Sequence, residues 1–231
     1  MALHPHLHQL SNYTNQKSMG GQASSAKNIE VIVFDLGGVL IDWNPRHLYR
    51  QLFDDEAAME RFLAEICSPA WNERQDAGRP WRDAVAELIA RHPDHAELIA
   101  AYHQRWAEML RGEIPESVEV LQTLKALGMR LYALTNWSHE TFPVARRRFA
   151  FLDWFDGIVV SGEEGLIKPD PVIFHRLLKR YDIDPTRALF IDDSPRNVAA
   201  AADLGLHALQ FVDASRLRED LIALGVPIRA E

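Results

Sequence analysis

The first regular pattern in the chain is a short, mostly apolar segment at residues 29–34, with the sequence IEVIVF. It is rich in β-branched residues and ends at Asp35, just before the turn signal Gly37-Gly38. This composition is typical of a strand that is buried on both faces of a parallel sheet. We therefore predict a buried strand whose carboxyl end presents the carboxylate of Asp35.

From Pro45 to about Gly112 the pattern changes to that of amphipathic helices. Within the runs 81–90 and 96–110, apolar residues recur at helical spacing and share one face. No strand signal is present in this stretch. We therefore predict a small helical domain at 44–113, inserted into the core domain after the first strand.

Beyond residue 113, segments with strand patterns alternate with segments with helix patterns. The predicted strands cover 129–135, 157–161, 188–191 and 206–211, and the predicted helices cover 116–127, 141–150, 170–181, 195–204 and 214–224. This alternation predicts an α/β fold, a doubly wound parallel sheet of the Rossmann type with helices on both faces. The core domain would comprise residues 29–43 and 114–231. Residues 1–28 are polar and lack either periodicity, so we expect a mobile tail there.

Composition narrows the possible partners and compartments. The chain has 231 residues with 25 Lys and Arg against 33 Asp and Glu, a net charge of −8. An acidic chain is a poor nucleic-acid binder, and no apolar run reaches the roughly 18 residues that span a bilayer. The single cysteine, Cys67, cannot form an intramolecular disulfide, and no signal peptide is recognisable. We expect a soluble cytoplasmic protein, either a monomer or a loose homodimer, that binds neither nucleic acid nor membrane.

Polar residues recur where the predicted strands end. In open α/β sheets, ligands bind outside the carboxyl ends of the strands, so these residues belong together. They are Asp35, Thr135 with Asn136, and Asp192 with Asp193, joined by Lys168 from the loop before the last of these strands. Adjacent carboxylates repel each other unless a cation or a helix N-terminus stabilises them. The combination therefore predicts a charged site at this edge of the sheet.

These residue types are suited to phosphoryl transfer. Asp35 is a carboxylate that can accept a phosphoryl group as an aspartyl phosphate. Thr135 and the main-chain N–H groups around Asn136 can hold phosphate oxygens at a helix N-terminus. Lys168 supplies a compact positive charge to the same oxygens. We therefore predict a small phosphorylated metabolite as the substrate.

The same edge offers ligands for a divalent cation. Asp35 and Asp193, together with the carbonyl oxygen of Gly37 and with Asp192 behind them, present the oxygen ligands that Mg²⁺ prefers. We therefore predict Mg²⁺ as the cofactor, with Asp193 rather than Asp192 as the direct ligand.

The four clusters, in this order, resemble the haloacid dehalogenase-like hydrolase superfamily, in the subgroup with a helical cap after the first strand. The resemblance covers roughly residues 30–215, and the segment FDLGGVLIDWNP at 34–45 is similar to small phosphatases that act on sugar phosphates. It implies that Asp35 is the nucleophile, Thr135 the hydroxyl of the second motif, Lys168 the family lysine, and Asp192 and Asp193 the acidic fourth motif.

One position departs from the family pattern. Most family phosphatases have a second Asp two residues after the nucleophile, which protonates the leaving oxygen and activates water, whereas this chain has Gly37. General acid–base catalysis is typically worth about 10²- to 10⁴-fold in rate. His139 and Asp76 are candidate replacements, although a structural role is the simpler interpretation of each.

Three interpretations follow from this departure. The chain could be a phosphatase whose leaving group needs little protonation or receives its proton elsewhere. It could be a dehalogenase of 2-haloacids, which uses the same Asp35 without a metal and releases halide without a proton. It could also be a non-catalytic protein that binds phosphate or a partner. The acidic pair at 192–193 suits Mg²⁺, so we expect a Mg²⁺-dependent phosphatase that forms an aspartyl phosphate.

Overall fold

The computed structural model describes residues 28–229 of the chain. The tail predicted at 1–28 lies outside the described residues, apart from Asn28. The strands are β1 (Val31–Phe34), β2 (Ile41–Trp43), β3 (Leu110–Glu113), β4 (Arg130–Thr135), β5 (Gly157–Val160), β6 (Ala188–Asp192) and β7 (His207–Gln210). Five of these form one parallel sheet in the order β5-β4-β1-β6-β7, with β1 at its centre.

Helices connect the strands of this sheet along the chain. The helices of the described residues are α1 (Arg46–Tyr49), α2 (Glu56–Glu65), α3 (Pro69–Asp76), α4 (Trp81–Arg91), α5 (Ala96–Gln104), α6 (Pro115–Ala126), α7 (Phe142–Arg148), α8 (Ser161–Glu164), α9 (Pro171–Arg180), α10 (Pro195–Asp203) and α11 (Ala214–Ala223). Several begin with proline, whose missing N–H costs nothing in the first turn. The Asp170 carboxylate caps α9 by accepting the N–H of Val172 at 2.8 Å.

The side chains of β1 point alternately into two apolar layers. Ile32 and Phe34 pack in a cluster that includes residues of α6 and α11. Val31 and Val33 pack in a second cluster with residues of α9 and α10. Successive strand residues face opposite sides of a sheet, so helices cover both faces. The doubly wound α/β fold predicted from the sequence is therefore confirmed, with element ends that agree to within roughly two residues.

The segment between β2 and β3 contains helices α1 to α5, as the helical pattern predicts. The helix predicted at 96–110 ends at Gln104, however, and a 3₁₀ turn at Trp106–Met109 leads into β3. Strand β3 pairs antiparallel with β2 where the chain leaves and re-enters the core. The prediction that this stretch contains no strand was wrong, because the pairing partner lies far away in sequence.

Two features bear on the expected environment of the protein. No helix within residues 28–229 combines the length and the apolarity that crossing a membrane requires. The thiol of Cys67 is free and buried, and burial raises its pKa to about 12. The thiol is therefore protonated at neutral pH and serves as a small apolar group in the packing.

Candidate active site

Three of the predicted polar clusters lie side by side at the carboxyl edge of the sheet. Asp35 directly follows β1, Thr135 ends β4, and Asp192 ends β6. Because β4 and β6 are the two neighbours of β1, these residues lie at adjacent strand ends. All three are buried. The structure thus places Asp35, Thr135 and Asp192 at the same edge of the sheet.

Lys168 completes the cluster from the loop between α8 and α9. Its side chain is fully buried, and its Nζ lies 3.0 Å from Asp35 Oδ1 and 2.6 Å from Asp192 Oδ2. A buried ammonium is costly unless it is paired and hydrogen bonded, and here two carboxylates compensate it. The lysine is therefore held at the carboxylate predicted to be the nucleophile.

The Asp192 carboxylate is hydrogen bonded to several of its neighbours. Besides Lys168, its carboxylate accepts the main-chain N–H of Ser194 at 2.8 Å. The Asn197 side-chain amide donates to both of its oxygens, at 3.0 and 3.1 Å. With both oxygens occupied in this way, Asp192 positions Lys168. Asp193, which is exposed, is the member of the acidic pair that is open to a ligand.

The charges in this cluster shift one another's pKa values. Burial raises the pKa of Asp35 to about 7, an effect that Lys168 partly offsets and Asp192 reinforces. Burial alone would lower the pKa of Lys168, but Asp35 and Asp192 outweigh it and raise that pKa above its ordinary value. Burial and the neighbouring Asp192 raise the pKa of Asp193. The cluster thus holds more negative charge than Lys168 can neutralise.

This charge imbalance is compatible with a bound divalent cation. Asp35, Asp192 and Asp193 each offer an oxygen, and these atoms lie within 4.8 Å of one another. Hard cations such as Mg²⁺ prefer carboxylate and carbonyl oxygens. A cation among them would offset the repulsion between these carboxylates. The donor set therefore fits Mg²⁺.

The two glycines after Asp35 differ in what they leave room for. Gly38 has a φ of +75°, and a Cβ there would lie 2.6 Å from Asp193 Oδ2, so a side chain is excluded twice over. A Cβ on Gly37 would meet no atom within 4 Å. The position that carries a second Asp in most family phosphatases is therefore open space rather than filled by another side chain.

Asn136 has a different environment from the one predicted. The helix after β4 begins only at Phe142, so Thr135 and Asn136 do not lie at a helix N-terminus. The prediction of a helix N-terminal phosphate site was wrong in this respect, because residues 137–141 form a loop that contacts the inserted segment. The Asn136 side chain instead bonds the main chain of Lys168, and thereby joins two of the predicted clusters.

Two adjoining cavities separate the inserted helices from the sheet edge. The smaller one, of about 50 Å³, is lined by Gly37, Trp43, Asn72, Asp76, Trp106, Asn136 and Trp137. The larger one, of about 580 Å³, extends from Lys168 and Asp76 to an apolar wall. That wall is formed by Trp43, Leu63, Ala64, Cys67, Pro69 and Tyr102. The charged cluster therefore opens into a space that can hold a small organic molecule.

The two candidate proton donors are placed very differently. Asp76 ends α3 and lines both cavities, and burial raises its pKa to about 7. His139 is exposed in the loop 137–141 and lines neither cavity. Of the two, only Asp76 faces the site.

Sequence reasoning missed two residues of this region. Asn197 lies in the first turn of α10 and holds Asp192. Ser161 directly follows β5, accepts the N–H of Trp137 at 2.8 Å and donates to the carbonyl of Asp76 at 2.6 Å. The rule that draws attention to polar residues at strand ends would have found Ser161. Asn197 carries no comparable signal, since its partner is defined only by the folded loop.

Comparison with known proteins identifies similar sequences. A sesquiterpene phosphatase, astK of Aspergillus oryzae, is 29% identical over 78% of this chain and 89% of its own length. The haloacid dehalogenase-like hydrolase family matches residues 29–205, which include every member of the charged cluster.

Solved structures share the fold at low sequence identity. A haloacid dehalogenase family enzyme of Bacteroides thetaiotaomicron, in complex with magnesium and inorganic phosphate, has a TM-score of 0.62 and 22% identity, covering 82% of this chain and 98% of its own. A dehalogenase with an intermediate complex also has a TM-score of 0.62, with 20% identity over 80% of this chain and 86% of its own. Both neighbours share the fold of this chain. The family match over most of the chain and the converging cluster at the sheet edge together establish that the protein belongs to the haloacid dehalogenase-like hydrolases.

Proposed function

We propose that this hydrolase is a Mg²⁺-dependent phosphatase that cleaves a small phosphate monoester through an aspartyl-phosphate intermediate. The observation that carries the proposal is the buried Lys168, held between Asp35 and Asp192 with the open carboxylate of Asp193 beside them. This set combines a nucleophile, a fixed positive charge and oxygen ligands for a cation. The phosphatase among the relatives and the magnesium and phosphate complex among the structural neighbours support it.

The geometry of Asp35 determines which of its oxygens attacks. Its Oδ1 accepts the N–H of Leu36 at 2.7 Å and lies 3.0 Å from Lys168 Nζ. The other oxygen, Oδ2, is therefore the one available for in-line attack on phosphorus. Lys168 and the hydroxyl of Thr135 would stabilise the equatorial oxygens of the phosphoryl group in the transition state. Attack by water on the phosphorus of the aspartyl phosphate would then release inorganic phosphate and regenerate the Asp35 carboxylate.

The cation would be held by Asp35, Asp193 and the main-chain carbonyl of Gly37, with Asp192 behind them. When bound, Mg²⁺ supplies positive charge that offsets the charge of the phosphate and of the carboxylates. Asp192 contributes indirectly, because its oxygens hold Lys168 and accept from Ser194 and Asn197.

The main alternative is a 2-haloacid dehalogenase that uses Asp35 without a metal. It is favoured by the absence of a carboxyl at Gly37, since halide leaves without a proton, and by the dehalogenase among the structural neighbours. The charge of the site opposes it. A haloacid carboxylate beside Asp35, Asp192 and Asp193 would bring four negative charges together, and Lys168 is the cation that contacts this cluster. A non-catalytic phosphate-binding role is disfavoured because the chain keeps both the proposed nucleophile, Asp35, and the Lys168 ammonium beside it.

The larger cavity indicates what the leaving group contributes to binding. On the side of the inserted helices, its lining combines an apolar wall that includes Leu63, Cys67, Pro69 and Tyr102 with the charged side chains of Arg46, Glu60 and Glu73. Burying carbon surface against such a wall is favourable by about 25 cal/mol per Å². The wall favours a phosphate ester with an apolar or ring-bearing leaving group, in keeping with the sesquiterpene phosphatase relative. The sequence predicts a sugar phosphate, and one face of a sugar ring is less polar than the other and could pack on this wall.

The test is hydrolysis of 4-nitrophenyl phosphate by the purified protein, with Mg²⁺ and with a chelator, beside the Asp35→Asn variant. We expect turnover that needs Mg²⁺ and is lost in the variant, whose fold should survive a nearly isosteric change. The same samples are given 2-chloropropionate and assayed for chloride. Chloride release without phosphate release would establish the dehalogenase instead. With phosphatase activity in hand, parallel panels of prenyl phosphates and sugar phosphates identify the leaving group.

A further inference from the structure

The position that lacks its carboxyl faces a carboxyl from the inserted helices. Gly37 leaves open space on its Cβ side and lines the smaller cavity. Asp76, at the end of α3, lines the same cavity and is the only ionisable side chain that does so within the described residues 28–229. In family phosphatases the acid–base carboxyl is at the position of Gly37. In this chain Asp76 brings a carboxyl to the same cavity.

Asp76 is fixed to the core domain at both its main chain and its side chain. Its carbonyl accepts the Ser161 hydroxyl at 2.6 Å. Its carboxylate accepts the main-chain N–H of Ser138, and Oδ2 also accepts the Asn72 side-chain amide at 2.9 Å. A catalytic carboxyl has to be held in place against the reacting atoms, and these contacts hold it.

The turn that follows Asp76 is attached to the same part of the core. The Trp81 main-chain N–H donates to Glu140 Oε1 at 2.9 Å, and its indole Nε1–H donates to Ser138 Oγ at 3.1 Å. Gly78, with a φ of +96°, approaches the carbonyl of Gly162 so closely that a Cβ would lie 3.0 Å from it. Residues 76–81 are therefore attached to the core at several points.

The charges around Asp76 favour its protonated form. Burial is the main cause that raises its pKa to about 7, and the carboxylates of Glu73 on its own helix and Asp35 on the core add to it. The Ser138 N–H acts in the opposite direction. Three cationic side chains also line the larger cavity, but each is paired with a carboxylate: Lys168 with Asp35 and Asp192, Arg46 with Glu60, and Arg196 with Glu73. Asp76 thus keeps a proton at a pH where ordinary carboxyls have lost theirs, as a general acid must.

We propose, on the basis of the phosphatase function above, that Asp76 is the general acid and base of the reaction. In the first step an Asp35 oxygen forms a bond to phosphorus, the bond from phosphorus to the ester oxygen breaks, and the Asp76 carboxyl gives its proton to that oxygen. In the second step the Asp76 carboxylate takes a proton from water as the water oxygen bonds to phosphorus. The Asp35 carboxylate then leaves, inorganic phosphate is released, and Asp76 is protonated again.

The leaving group distinguishes this role from a structural one. Benzyl phosphate leaves as an alkoxide that needs a proton, whereas 4-nitrophenyl phosphate, of similar size, leaves as a stable phenolate. For Asp76→Asn we expect kcat/KM to fall about 10²- to 10⁴-fold on benzyl phosphate and less than about tenfold on 4-nitrophenyl phosphate. We also expect a burst of nitrophenolate followed by a slow steady rate, because hydrolysis of the aspartyl phosphate is slow without a general base.

Rescue and controls sharpen the test. Gly37→Asp, placed in the Asp76→Asn background, should restore activity on benzyl phosphate, since the Cβ position of Gly37 is open. Asp83→Asn makes the same chemical change at an exposed site on α4 and should alter neither substrate. The pH profile of the wild-type protein is a test that does not depend on the folding of a variant. We expect kcat/KM to fall above about pH 7 on benzyl phosphate and not on 4-nitrophenyl phosphate.

The outcomes separate the two proposals. An equal loss on both esters in Asp76→Asn, or coincident pH profiles in the wild-type protein, would show that Asp76 only supports the fold and would overturn its assignment. The phosphatase would stand in that case. If the wild-type protein hydrolyses neither ester with Mg²⁺ present, the phosphatase itself fails, and the role of Asp76 fails with it.

Discussion

The side-chain amide of Asn136 bonds both main-chain polar groups of Lys168. Its Nδ2 donates to the Lys168 carbonyl at 3.0 Å, and its Oδ1 accepts the Lys168 N–H at 2.8 Å. The backbone of the lysine is fixed by the loop after β4, while its ammonium group is fixed by Asp192 at the end of β6. The position of the positive charge is therefore set by the two strands on either side of β1, which carries Asp35.

The first prediction concerns this pair. Asn136→Ala removes two hydrogen bonds, each with a net worth of about 0.5–1.5 kcal/mol, so we expect the protein to lose roughly 1–3 kcal/mol of stability. The freed loop should also displace Lys168, so kcat should fall at least about tenfold on 4-nitrophenyl phosphate. Urea unfolding and steady-state kinetics measure the two effects. A destabilised variant with unchanged kcat would show that Asn136 supports the loop but not the lysine.

The second prediction uses the neighbouring glycines as a matched pair. Gly38→Ala places a methyl group in a left-handed conformation and against Asp193, so we expect a loss of about 1–2 kcal/mol and weaker activation by Mg²⁺. Gly37→Ala meets no atom within 4 Å and should be tolerated. The measurement is the Mg²⁺ concentration that gives half-maximal activity, which should be higher in Gly38→Ala than in Gly37→Ala. Equal Mg²⁺ dependence would mean that Asp193 is not a ligand.

The parallel sheet could be predicted from the sequence because its signals are local. Each strand is a short apolar run that ends in a polar residue, as at Phe34 followed by Asp35, and each helix between them has its own periodicity. The pairing of β2 with β3 could not be predicted in the same way. Leu110–Glu113, with the sequence LRGE, contains no apolar run, and it becomes a strand only because the fold brings Ile41–Trp43 beside it.

The charged cluster could be predicted in part, because its residues follow strands that have local signals. The strand ends bring Asp35, Thr135 and Asp192 together in any doubly wound sheet of this strand order. The contacts of Asn136 with Lys168, and the position of Asp76 against the core, depend on how loops from distant parts of the chain meet. Such contacts leave no periodicity in the sequence, so only the structure distinguishes Asp76 from His139.

The third prediction concerns stability against pH. The pKa values of Asp35 and Asp76 are raised to about 7, mainly by burial, from about 3.8 for an ordinary Asp. Between these values the unfolded chain releases protons that the folded chain keeps, so stability should fall as pH rises from about 4 to about 7. Below about pH 4 the two carboxyls are protonated in both states and cost no stability. Above about pH 7 the loss of stability that they cause is complete.

Urea unfolding at pH 5 and pH 7.5, in the presence of a chelator, measures this slope. Asp76→Asn should reduce the loss of stability between the two pH values, because one of the two carboxyls whose pKa is raised to about 7 no longer ionises. Adding Mg²⁺ should reduce the remaining part that comes from Asp35. An identical slope in Asp76→Asn and the wild-type protein would mean that Asp76 titrates as an ordinary exposed carboxyl.

The fourth prediction tests the attachment of Asp76 to the core through Ser161. Ser161→Ala leaves the buried N–H of Trp137 without its acceptor and frees the carbonyl of Asp76, so we expect a loss of about 1–3 kcal/mol. Ser117→Ala is the matched control. The Ser117 hydroxyl is buried and has no hydrogen-bond partner among the described residues, so its removal should leave stability unchanged or slightly higher.

The kinetic consequence of Ser161→Ala should depend on the leaving group. If the hydroxyl of Ser161 holds Asp76 against the substrate, its loss should lower kcat/KM on benzyl phosphate several-fold more than on 4-nitrophenyl phosphate, in the same sense as Asp76→Asn but less severely. Ser117→Ala should change the two values alike or not at all. A Ser161→Ala variant that is destabilised yet keeps the wild-type ratio of the two substrates would limit Ser161 to the packing of the inserted helices. Asp76 would then be held by Ser138 and Asn72 alone.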